Sequence, residues 1–147
     1  MQAPRSVTLV AGPPCAGKST YVNARRGPGD VVADFDEVAQ AIAGGHTKWA
    51  HSRAVGDAAE RAMLDLVDQV AALDAGTAWV IRCCPDPWAR AWLAHAIGAT
   101  RVVVLLPPLG VLMERARERP LAGETTRAIW RWRDAYAPAE CDELVRG

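Results

Sequence analysis

The 147 residues carry 17 Lys and Arg against 17 Asp and Glu, so the formal net charge is zero. Half of the composition is hydrophobic, which excludes a disordered chain and suits one domain with a proper core. A balanced charge gives no general pull toward nucleic acid or an anionic membrane, so a nucleic-acid substrate would need a local basic patch.

Met1 to Arg5 reads as a loose leader. Ser6 to Ala11 is short, apolar and β-branched in its centre, as a buried parallel strand should be. It runs into Gly12-Pro13-Pro14-Cys15-Ala16-Gly17-Lys18-Ser19-Thr20, which fits G-x-x-x-x-G-K-[ST], the Walker A phosphate-binding P-loop. A helix from Lys18 to about Asn23 follows, so the motif lies between strand and helix, the context that separates it from a chance match. Gly12 and Gly17 allow backbone angles and a close approach that side chains would block. The loop amides form an anion nest at a helix N-terminus, Lys18 is placed to reach the outer phosphates, and the Ser19 hydroxyl to ligate Mg²⁺.

Arg25 to Asp30 is a turn cluster, and Val31-Val32-Ala33 a second strand leading into Asp34-Phe35-Asp36-Glu37. Carboxylates two apart on an extended segment point the same way, at the strand end where ligands bind in parallel α/β sheets. Asp36 is the expected acceptor of the proton from an attacking hydroxyl, with Asp34 helping to hold Mg²⁺ or its waters; either could instead cap the helix that starts here and ends at Gly44-Gly45. His46 to Ser52, including Trp49 and His51, reads as an exposed segment on the substrate side.

Arg53 to Ala75 is a long helix whose core stripe runs through Ala58, Ala62, Met63, Leu66, Val67, Val70 and Ala71. Thr77 to Arg82 is the third strand, ending in Cys83-Cys84-Pro85-Asp86 rather than in an acidic residue, which puts more of the metal work on Ser19 and the Asp34/Asp36 pair. Pro87 to Ile97 is a helix expected to bury Trp88, Trp92, Leu93 and Ala96 and to leave Arg90 in solvent. Arg101 to Leu106 is the fourth strand. In Leu109 to Arg119, Leu109, Leu112, Met113 and Ala116 face the core, while Arg115 and Arg119 share another face. Such arginines can close over a transferring phosphoryl group, or form a solvated helix face with Glu114 and Glu118. Glu124 to Tyr136 is the last helix; its Trp130 and Arg127 or Arg131 could stack on a base, and Ala137 to Gly147 reads as a mobile tail. The four cysteines make no C-x-x-C pair, and with no signal peptide or long apolar run a reducing cytoplasm and no membrane are expected.

With these features placed, the chain resembles the small P-loop kinases of the phage polynucleotide-kinase type, from Val7 to about Tyr136. The likeness rests on the Walker A segment, on Asp36 with Gln40 and Ile42, on Arg115 and Arg119, and on Arg133 and Tyr136 in the closing helix. It implies a parallel sheet of four to five strands flanked by helices, ATP as donor, Mg²⁺ as cofactor, Asp36 as general base toward a 5′-hydroxyl, and Arg119 in a lid over the phosphates. Three features depart from that family: Cys83 stands where it has an acidic residue, Ala39 where it has the Arg that engages the phosphate beside the acceptor, and no phosphatase motif is present. Asp34-Phe35-Asp36 also resembles shikimate-kinase-like enzymes, whose second Asp holds a small hydroxylated substrate. The expected activity is a phosphotransferase acting on a polynucleotide 5′-OH, a nucleoside or nucleotide, or another small alcohol, with a nucleotide hydrolase and a non-catalytic nucleotide binder as rivals.

Overall fold

The computed structural model describes residues 3–44 and 53–147; His46, Trp49 and His51 lie outside them. Five strands form one parallel sheet in the order β2-β3-β1-β4-β5: β1 (Ser6–Ala11), β2 (Val31–Asp34), β3 (Thr77–Arg82), β4 (Arg101–Leu105) and β5 (Asp142–Val145). The helices are α1 (Lys18–Asn23), α2 (Phe35–Ile42), α3 (Arg53–Ala71), α4 (Pro87–Ile97), α5 (Leu109–Arg117) and α6 (Ala122–Ala135). This is the expected α/β architecture with a parallel sheet flanked by helices.

Strand alternation sorts the core into two layers. Val10, Trp79, Ile81, Val103 and Leu105 pack against α1, α5 and α6 through Val22, Leu112, Ala116 and Ile129. Val7, Leu9, Ala78, Val80 and Val102 face the other way, onto Met63, Val70 and Ile97. A strand buried on both faces reads as an unbroken apolar run, which is why β1 and β4 stood out in the sequence. In α3 the core face is Ala59, Met63, Leu66, Val67 and Val70; of the expected stripe, Ala58 and Ala62 are only half-buried, and the helix stops at Ala71, which is exposed, short of the expected Ala75.

Four further expectations fail, and each failure traces to an arginine or its partner. Residues 142–145 are not a mobile tail: they pair with β4 in the register Val102↔Asp142 to Leu105↔Val145. Arg90 is not solvated; its side chain is 1% exposed and bonded to Asp142 at 2.6 Å. Its Nε reaches the other Asp142 oxygen, Nη1 donates to the carbonyls of Cys84 and Pro85, and Nη2 to that of Ala137. Every N–H of the guanidinium thus has an acceptor. With Arg90 and Ile97 as the inward residues of α4, Trp88 and Trp92 are turned outward, 83% and 67% exposed.

Nor is Arg5 part of a loose leader. It donates to the carbonyls of Val70 and Leu73 just at and after α3, and to those of Ile97 and Gly98 at the end of α4. Carbonyls orphaned at helix C-termini are natural partners of a cation, so one side chain ties two helix ends to β1. On the opposite layer, the Trp79 indole donates to Asp30 at 3.0 Å. That bond, with a second from the Gly27 amide, holds the Asp30 carboxyl below its ordinary pKa.

Candidate active site at the carboxyl ends of β1, β2 and β3

Val10 and Asp34 are both level with Ile81 across the sheet, so the loops after β1, β2 and β3 leave from one edge. The segment from Gly12 to Gly17 curls there before α1 begins. Its two left-handed residues are Gly17 (φ 86°) and Cys15 (φ 67°). Gly12 serves a different purpose. A Cβ there would stand 2.8 Å from the Leu105 carbonyl oxygen and 3.2 Å from the Ala16 Cβ. Gly12 is therefore the close-approach glycine and Gly17 the conformational one, while the non-glycine Cys15 carries strain of about 1–2 kcal/mol. Gly12→Ala should push the loop off the end of β4, with about 1–3 kcal/mol lost in urea melts and weaker nucleotide binding by calorimetry.

Lys18 folds back over the loop, its Nζ 3.0 Å from the Gly12 carbonyl and 2.8 Å from that of Pro13. Ser19 Oγ donates to Asp34 Oδ2 at 2.8 Å. Asp34 Oδ1 accepts from the Asp36 amide at 3.0 Å and so caps α2. The two roles weighed for Asp34 therefore coexist on one carboxylate: one oxygen starts the helix, the other faces the P-loop serine. Ser19 and Asp34 offer hard oxygen donors side by side at the loop mouth, the type of set that suits Mg²⁺ when phosphate and water complete the shell. Among the described residues, no group of three or more His, Cys, Asp or Glu is placed to hold a metal by itself.

A cleft of about 310 Å³ opens over the loop. Lys18, Ser19, Asp34 and Asp36 line one wall, and Arg119 with Glu124, Thr125, Ala128 and Arg131 the other. The exposed Cys83 also lines it, and no carboxylate replaces the acidic residue expected after β3. Asp86 is engaged elsewhere, capping α4 through the Ala89 amide at 2.8 Å. Burial pushes the neighbouring Cys84 thiol up from its ordinary pKa, and Cys84 itself holds a positive φ of 38°.

The two candidate lid arginines part company. Arg119, in the turn between α5 and α6, lines the cleft. Arg115 instead donates to the Cys15 carbonyl at 2.8 Å and braces the loop from behind. There it helps line a second recess with Tyr21, Arg25 and Pro107; Arg25 lies 3.5 Å from the centre of the Tyr21 ring. Ala39, the position of the resembled family's acceptor arginine, is fully buried in α2. Of the two α6 arginines weighed for base stacking, Arg131 lines the cleft, whereas Trp130 belongs to a different groove beside Arg133 and Pro107. The contribution of Glu124, Thr125 and Ala128 went unnoticed in the sequence. Its signal was the polar and small face of α6, opposite Ile129 and Trp132.

No helix among the described residues is long and apolar enough to cross a membrane. In overall shape the chain is similar to a protein of Chloroflexus aurantiacus J-10-fl provisionally called a kinase (TM-score 0.65, 18% identity, 99% of this chain and 89% of that one). It is similar as well to a sugar kinase from Janibacter sp. HTCC2649 in its unliganded form (TM-score 0.58, 16% identity, 97% and 86% covered). A third likeness is to a chain of the Pnkp1/Rnl/Hen1 RNA repair complex (TM-score 0.60, 12% identity); 93% of this chain is covered but only 47% of that one, so this protein spans about half its length. At these identities the likeness is one of fold. No curated protein matches the chain in sequence. The family profile described as an AAA domain matches residues 7–139, and with the P-loop in place between β1 and α1 the chain belongs to that family of P-loop NTPases.

Proposed function

We propose that the protein is an ATP-dependent phosphotransferase that moves the γ-phosphate to a hydroxyl. The observation that carries this reading is the pairing, across one cleft, of the P-loop with a carboxylate, Asp36, and an arginine, Arg119. A P-loop alone serves hydrolases, motors and binders equally; a carboxylate lining the same cleft as the loop serine is what a hydroxyl acceptor needs.

The loop amides and Lys18 hold the phosphate tail, Lys18 exchanging its two carbonyl partners for phosphate oxygens. The recess beside Tyr21, Arg25 and Arg115 offers an aromatic and cationic surface for the base. Ser19 and Asp34 would hold Mg²⁺, which when bound neutralises charge on the phosphate oxygens. Asp36 accepts the acceptor's proton as its oxygen forms a bond to the γ-phosphorus and the bond to the β-phosphate oxygen breaks, leaving ADP. Arg119 compensates charge on the phosphoryl group in flight.

The test is transfer of label from γ-labelled ATP with Mg²⁺ to hydroxyl compounds. Label on an acceptor supports the reading; free phosphate without an acceptor supports a hydrolase. Bound ATP with neither supports the one rival that a specific observation favours, a binder whose missing carboxylate at Cys83 has cost it turnover. Arg119→Ala should lower turnover about 10²–10³-fold in steady-state assays with little change in the ATP dissociation constant. A change confined to ATP affinity would remove Arg119 from the transfer step.

A further inference from the structure

The wall of the cleft opposite the P-loop is one face of α6. Glu124, Thr125, Ala128 and Arg131 are spaced i, i+1, i+4 and i+7, so they line up along two turns, about 10 Å of helix. The side chain in the middle is a methyl group, and the ends carry opposite charges. The side chain of neither Glu124 nor Arg131 makes a hydrogen bond or ion pair with any described residue. Within one helix they sit too far apart to neutralise each other, since pairing needs a spacing of three or four. A cleft wall with an unengaged acceptor at one end, an unengaged guanidinium at the other and a gap between them is shaped for a ligand of matching polarity.

We infer, resting on the phosphotransferase reading, that the acceptor is a small, hexose-sized molecule with one anionic group at Arg131 and hydroxyl or amine donors at Glu124 and Thr125. Its reacting hydroxyl lies toward Asp36 across the cleft. A carboxylate such as Glu124 can only accept, so the ligand must bring donors to that end. Arg131 offers a planar fork suited to a carboxylate or phosphate. The same wall argues against a nucleic-acid strand. The described lining balances three cations, Lys18, Arg119 and Arg131, with three carboxylates, Asp34, Asp36 and Glu124. Lys18 and Arg119 are committed to the donor's phosphates, which leaves one arginine flanked by two acids. A strand repeats its negative charge at every nucleotide and needs a series of cations along its path.

The experiment offers γ-labelled ATP with glucosamine 6-phosphate, gluconate, glucose, glucosamine and a 5′-hydroxyl oligonucleotide, using the full chain and Arg131→Gln. Arg131 and Glu124 are exposed, so these variants keep the fold. Label should move to the anionic compounds in preference to the counterparts without an anionic group, uncharged glucose and amine-bearing glucosamine, and to the oligonucleotide. Arg131→Gln should raise KM for the anionic compounds about 10- to 100-fold and leave KM for ATP and for glucose and glucosamine alone. Glu124→Gln should weaken glucosamine 6-phosphate more than gluconate. Preferential labelling of the oligonucleotide, labelling of glucose and glucosamine only, or an equal KM rise for anionic and non-anionic acceptors would overturn this acceptor class and leave the phosphotransferase standing. ATP turnover with no label on any anionic compound would overturn it too. If Lys18→Ala and the parent chain prove equally inert toward ATP, both readings fall.

Discussion

Asp36→Asn is expected to keep nucleotide binding and lose about 10²–10⁴ in turnover. The two side chains have nearly the same shape, and the Asp36 amide that caps onto Asp34 at 3.0 Å belongs to the main chain, so the start of α2 is preserved. What changes is the ability to take a proton. Asn cannot receive one from the attacking hydroxyl, and its amide adds a donor where the acceptor oxygen should approach. The useful measurement is single-turnover transfer with calorimetric ATP affinity on the same preparation. A slow variant that binds ATP like the parent places the loss in the chemical step. A variant with undiminished turnover sinks the base assignment, and one that fails to bind ATP shows that Asp36 belongs to the metal and phosphate side of the cleft. Asp34→Asn reports differently, because both Asp34 oxygens are in use, one by Ser19 and one by the α2 amide. Its amide nitrogen would have to displace one of these donors.

The second large effect concerns stability and lies outside the cleft. Asp142→Ala should cost about 3–5 kcal/mol in urea unfolding, because it leaves the Arg90 guanidinium buried without its counter-charge. A domain of this kind has only about 5–15 kcal/mol in total, so the loss is a large share of the whole. Asp142 also accepts from the Ala139 amide at 2.8 Å, and that turn should loosen with it. An apolar double replacement, Arg90→Met with Asp142→Leu, should recover part of the loss and no more. The carbonyls of Cys84, Pro85 and Ala137 would still lack the donors that Arg90 gives them. A loss below about 1 kcal/mol for Asp142→Ala would mean that residues 137–145 contribute little to the folded state.

The same pair explains where reading the sequence worked and where it stopped. The P-loop, its flanking strand and helix and the acidic end of β2 were legible because each is local: a fixed motif, an apolar run and a cap lie within a few residues. β5 was not, because Asp142-Glu143-Leu144-Val145 is short and carries two acids. Its place in the sheet depends on Arg90, 52 residues earlier, and on an Arg101–Glu143 ion pair with β4. Once Arg90 could be matched only with solvent, the hydrophobic period of α4 pointed to the wrong face, and the tryptophans were put inside. Arg115 and Arg119 looked alike on sequence spacing. What separates them is the 2.8 Å bond to the Cys15 carbonyl, a contact between residues 100 apart in the chain.

The outer strands of the sheet also bear on self-association. β2 and β5 are only four residues long. β5 sets an inward-facing acid at its start and the exposed Glu143 beside Arg101, features that keep unpaired strand edges from recruiting one another. Amyloid-like or edge-to-edge pairing of copies is therefore disfavoured. If the protein clusters at high concentration, the tacky area is the indole pair of α4, and Trp88→Gln with Trp92→Gln should restore monodispersity in light scattering.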